Sequence, residues 1–82
     1  MAAFTCAWRG GSHRGRPGWR LQFPYNEESI DALKAAIPAP DREWHESHTA
    51  AERYWWVAEE HQEQLPVLFP WFEAHLRQAS LF

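Results

Sequence analysis

Eighty-two residues with a formal net charge of −3, 45% hydrophobic and 16% aromatic, suit one small globular domain and no more. The single cysteine, Cys6, rules out an internal disulfide, and no apolar run has the length of a membrane span or of a signal peptide. These features lead us to expect a cytoplasmic protein of modest stability, because small domains bury a smaller share of their surface.

Charge is unevenly distributed. Arg9, Arg14, Arg16 and Arg20 lie in the first twenty residues without an acid, whereas all eleven acids lie from Glu27 onward. The leader favours a polyanionic partner. The acidic body argues against a strongly cationic clamp.

Residues 1–18 carry all four glycines, together with arginines, Ser12 and Pro17, and read as an irregular leader in which Phe4 and Trp8 dock at most locally. The domain proper then spans 19–82. From Trp19 to Tyr25 the chain alternates, with Leu21, Phe23 and Tyr25 on one face and Arg20 and Gln22 on the other, which predicts a half-buried strand. Pro24 belongs at its end or on an edge.

Asn26 is a helix N-cap followed by Glu27 and Glu28, and Ile30, Leu33 and Ile37 recur on one helical face. Pro38 ends that helix near Ala36, and Pro38–Asp41 forms a rigid turn. Arg42–Glu46 and Arg53–Val57 are rich in Trp and Tyr and predict two strands, joined by a loop over Ser47–Glu52. Helices follow over Glu59–Leu65 and Pro70–Ala79, with Leu65, Leu68, Phe69, Phe72, Leu76 and Ala79 forming one stripe and Pro70 opening the second helix. The expected fold is α+β: a three-stranded antiparallel sheet in β-α-β-β order, packed with one central helix and two short C-terminal helices.

Catalytic and metal signatures are weak. His45, His48, His61 and Cys6 lack the spacing of a zinc set. Glu59, Glu60 and Glu63 read as a solvated helical face. Ser12, Ser29, Ser47 and Ser80 lack a nucleophile elbow, and no glycine-rich phosphate loop follows a strand. A non-enzymatic domain without cofactor or metal is expected.

The aromatic strand is the informative segment. Trp55 and Val57 share one face; Tyr54 and Trp56 share the other. One arrangement covers both faces, by the helices and by the leader. Another leaves Tyr54 and Trp56 as a stacking platform for bases, with Arg20, Lys34 and Arg42 contacting phosphates. A third uses an exposed aromatic patch, around Trp71 and Leu81–Phe82, for a protein partner or self-association.

The ordered run Phe23-Pro24-Tyr25-Asn26, Ile30, Leu33-Lys34, Ile37-Pro38, Arg42-Glu43-Trp44 and Trp55-Trp56-Val57 resembles the HARP domain, the small module that accompanies Swi/Snf-type annealing helicases, and also short bacterial and phage-borne proteins of the same pattern. The match covers about residues 21–65. It implies a compact α+β unit without catalytic residues that binds single-stranded or fork-like DNA. It also implies that Trp44, Trp55 and Val57 are core and that Trp56 points outward. The expected nucleic-acid site is therefore Arg20, Lys34, Arg42, Tyr54 and Trp56, on a monomer. A protein-interaction domain is the alternative.

Overall fold

The computed structural model describes residues 5–49 and 52–80, with side chains as far as His75. Strands β1 (Cys6–Arg9), β2 (Gly18–Gln22), β3 (Arg42–His45) and β4 (Tyr54–Ala58) form one sheet in the order β1-β2-β4-β3, every neighbouring pair antiparallel. Helices α1 (Glu27–Ala36), α2 (Leu65–Leu68) and α3 (Pro70–Ser80) complete an α+β domain. No helix among the described residues is long and apolar enough to cross a membrane.

Helix α1 follows its sequence signals. The Asn26 side-chain oxygen accepts from the Ser29 N–H at 3.1 Å, the N-cap bond that satisfies an otherwise orphaned donor. Glu27 and Glu28 lie in the first turn and Lys34 in the last, as the helix dipole favours. The chain leaves the helix at Ile37, ahead of Pro38, and turns through one 3-10 segment at Ala39–Asp41.

Three expectations need correction. The supposed irregular leader contains β1, so the sheet has four strands rather than three: Cys6, Ala7, Trp8 and Arg9 pair with Gln22, Leu21, Arg20 and Trp19. The glycines that suggested disorder instead make the β1–β2 connection compact. Gly15 adopts φ +82°, a left-handed conformation that disfavours other residues. A Cβ on Gly18 would overlap the Val57 carbonyl oxygen and the Trp56 indole. Second, Glu59–Gln64 is 3-10 rather than α-helix, and α2 begins only at Leu65, where Pro66 is tolerated in the first turn. Third, β2 ends at Gln22, and Tyr25, expected inward with Leu21 and Phe23, is 82% exposed.

The helices cover one face of the sheet. Trp19, Leu21 and Val57 from the strands meet Leu33, Ile37, Leu65, Phe69 and Phe72 in the core. Trp19 and Phe72 pack edge to face at 5.1 Å, and the Trp19 indole N–H donates to Gln62 at 2.8 Å. Trp71 is half-buried against Phe23 and Phe69 rather than forming an open patch. Leu81 and Phe82, the other part of that expected patch, lie outside the described residues, as do Phe4, Ala50 and Ala51 and the side chains of Leu76 and Ala79.

Candidate nucleic-acid interface

Register sorts the strand side chains into two faces. Trp8, Arg20, Trp56 and Glu43 form one cross-strand row on the face away from the helices. Tyr54, two residues from Trp56, lies on that same face with its partner His45. The opposite face carries Ala7, Leu21, Trp55 and Trp44 in one row and Arg9, Trp19, Val57 and Arg42 in the next.

The parity expected for β4 is correct, but the burial assigned to it is not. Trp56 is 1% exposed although it faces away from the helices and stands outside the main core cluster. The β1–β2 turn lies over it. Its indole N–H donates to the Gly10 carbonyl at 3.1 Å, and the Arg16 guanidinium lies 5.5 Å from the ring centroid. Arg16 is held in turn by Asp41 at 3.1 Å and Glu60 at 2.8 Å, and an N–H of His61 donates to the other Asp41 oxygen at 2.8 Å. Those bonds hold the Asp41 carboxyl below its ordinary pKa, His61 contributing most and Arg16 next. Trp44, expected in the core, is 47% exposed, and Trp55 is half-buried.

The five expected site residues therefore divide. Arg20 and Tyr54 meet: the guanidinium lies 4.8 Å from the Tyr54 ring centroid, fixed by two bonds to the Gly11 carbonyl at 2.9 and 3.2 Å. Trp56 is beside them but buried. Arg42 is on the helix side, donating to the Ile37 carbonyl at 2.9 Å. Lys34 is exposed on α1, remote in role from the other four.

Around Tyr54 the structure adds two aromatics that the sequence reading left out. His45 stacks on the Tyr54 ring at 4.6 Å and 14°, and Trp8 meets it edge-on at 5.8 Å. His45 is exposed and Trp8 half-buried. The Tyr54 ring already carries His45 and Arg20, which leaves the rings of His45 and Trp8 as the outer part of the cluster. The signal for Trp8 was the short Cys6-Ala7-Trp8 alternation, overshadowed by the glycines that follow it. His45 was weighed only as a metal ligand; among the described residues no group of three or more His, Cys, Asp or Glu side chains could hold a metal ion.

Comparison of the chain with family models, with curated proteins and with solved structures finds no match.

Arg9 pairs with Glu59, and Arg16 with Asp41 and Glu60. Among the described residues, Arg20 bonds to the Gly11 backbone carbonyl and to no carboxylate, and the exposed Arg14 guanidinium has no carboxylate partner. Arg20 belongs to the side carrying Trp8, Tyr54 and His45, as does Arg16, which lies over Trp56 with Asp41 and Glu60; Glu43 is the acid in register there and accepts the His13 backbone N–H at 2.9 Å. On the helix side, Tyr25, Ile30, Trp44 and Trp55 border two adjoining hollows of about 490 and about 520 Å³, and the second is rimmed by Glu27, Asp31 and Lys34.

Proposed function

We propose that the protein is a non-catalytic nucleic-acid-binding module that engages single-stranded or fork-like DNA through the sheet face opposite its helices. The observation that carries this reading is the contiguous group Trp8, Tyr54 and His45 with Arg20 over the Tyr54 ring. Unpaired bases stack on aromatic side chains whatever their sequence, and duplex ends or forks supply such bases. Arg20 and Arg14 would meet phosphates, and Trp56, buried beside the platform under the β1–β2 turn, serves as support rather than as a contact. Arg42 and Lys34 drop out of the site because they face elsewhere. The resemblance to the HARP domain supports the preference for forks and single strands. The lone Cys6 suits a reducing, cytoplasmic setting.

The test is polarisation binding of labelled single-stranded, duplex and forked DNA at low and moderate salt. The reading expects binding that weakens as salt rises, because each neutralised phosphate releases counterions, and an order in which fork or single strand exceeds duplex. Equal affinity for all three forms would reduce the proposal to non-specific phosphate contact. No binding at low salt would end it.

A second reading, a protein-interaction domain, is favoured by the exposed Tyr25 and Trp44 beside the helix-side hollows.

A further inference from the structure

The helix-side groove has a composition unlike that of the opposite face. Trp44 and Trp55 lie 5.3 Å apart with their planes inclined at 50°, giving an angled aromatic wall on the β3–β4 pair. Tyr25, 82% exposed, stands across from them at the start of α1, and Ile30 lines the space between. The wall is held in place: the Trp44 indole N–H donates to Glu46 at 3.0 Å, and Glu46 is bound by Arg53 at 2.8 Å. That ion pair neutralises the charge at the Arg53 end of the groove.

The α1 end is not neutralised. Glu27 and Asp31 lie one helical turn apart on the rim, against the single cation Lys34. Neither carboxylate has an ion pair among the described residues. Aromatic faces attract cations through their quadrupole, and two carboxylates at the mouth add direct charge attraction. The same rim repels phosphate, so this groove does not extend the DNA face.

We infer that the groove bordered by Tyr25, Trp44 and Trp55 is a docking site for an arginine side chain carried on an apolar segment of a partner polypeptide. The guanidinium stacks on the indole wall and donates to Glu27 and Asp31, using the planarity and forked donors that distinguish arginine from lysine. Apolar residues flanking it cover Ile30 and the exposed part of Trp44. The site stands apart from the nucleic-acid reading and survives its failure.

The probes are three end-blocked hexapeptides of the same apolar sequence with arginine, citrulline or glutamate at one central position. Citrulline keeps the shape of arginine and removes its charge. The readout is NMR titration of the full chain, following the indole N–H signals of Trp44 and Trp55. The arginine peptide is expected to shift both signals and to bind at least about fivefold more tightly than the citrulline peptide, the range of an aromatic–cation contact, with the glutamate peptide weakest. The double variant Glu27→Gln, Asp31→Asn, altered only at exposed positions, should weaken the arginine peptide and leave the citrulline peptide unchanged, so that their difference narrows to the part due to the indole wall, while the melting temperature falls by no more than a few degrees, the share of the helix-dipole contact of Glu27. Equal binding of arginine and citrulline peptides, shifts that fall on Trp8 and His45 instead, or no movement of Trp44 at millimolar peptide would each overturn the assignment. Oligonucleotides titrated in parallel should leave Trp44 and Trp55 unmoved, which separates this site from the DNA face.

Discussion

The indole N–H of Trp56 donates to the Gly10 carbonyl, 3.1 Å away, on the side of the sheet that carries no helix. One bond thus ties the middle of β4 to the glycine-rich turn and gives the domain a second, smaller buried region outside its main core. Burying a tryptophan removes about 150–250 Å² from water, worth several kcal/mol at about 25 cal/mol per Å². The turn therefore contributes to stability as well as joining two strands.

Trp56→Ala should destabilise the domain by about 3–5 kcal/mol, read as a lower midpoint in urea unfolding. Trp44→Ala, at a site 47% exposed, should cost less, about 1–2 kcal/mol, for the lost Trp55 contact and Glu46 hydrogen bond. Equal losses at the two positions would contradict the burial described for Trp56.

Gly18→Ala tests how closely the start of β2 approaches β4. Its Cβ would meet a backbone oxygen on β4 and the Trp56 ring, neither of which can move freely. A loss of about 1–3 kcal/mol is expected, at about 4–8 °C of melting temperature per kcal/mol for a domain of this size. Gly10→Ala first meets the Arg20 side chain, which can swing aside at the loss of its bonds to the Gly11 carbonyl, and should cost less. A neutral Gly18→Ala would show that β2 starts farther from the Val57 carbonyl and the Trp56 ring than described.

Asp41 links the turn to acid stability. Bonds from His61 and Arg16 lower its pKa in the folded state, so the stability it contributes is present above the unfolded value of about 3.9 and is lost as pH falls through the lower folded value. Melting temperature should therefore drop below about pH 4, and Asp41→Asn should flatten that decline while lowering stability at neutral pH. An unchanged acid profile in the variant would remove Asp41 from this role.

Much of this fold is legible along the chain because local signals and tertiary packing agree. Asn26 capping α1, Pro38 ending it, Pro70 opening α3 and the alternation around Leu21 all act within a few residues, and each element lies close to where those signals put it. What could not be read was which face of β4 would be covered. Tyr54 and Trp56 share a face by parity alone, but their exposure depends on a turn some forty residues earlier in the chain, joined through Gly10 and Arg16. Glycine content pointed to disorder there, whereas it reflects the close approach that Gly18 permits. The site was half legible for the same reason. Arg20 and Tyr54 came from strands that were recognised, whereas Trp8 came from the strand that was not, and Arg42 was lost to the opposite face by register.

Trp8→Ala should weaken binding of single-stranded DNA by about 1–3 kcal/mol, the range for one lost stacking contact, and leave its salt dependence unchanged. Arg14→Gln should do the reverse, reducing the salt slope by about one with a smaller loss of affinity. Identical profiles for the two variants would argue against separate stacking and phosphate roles.

The central claim, that the helix-free face of the sheet binds nucleic acid, is tested most directly by NMR titration of the isotope-labelled chain with short single-stranded, duplex and forked DNA at low and moderate salt. The account predicts shifts that gather on Trp8, Arg14, Arg20, His45 and Tyr54 and fade as salt rises, with the fork or the single strand giving the larger response. Shifts confined to Tyr25, Trp44 and Trp55, or none even at low salt, would contradict it.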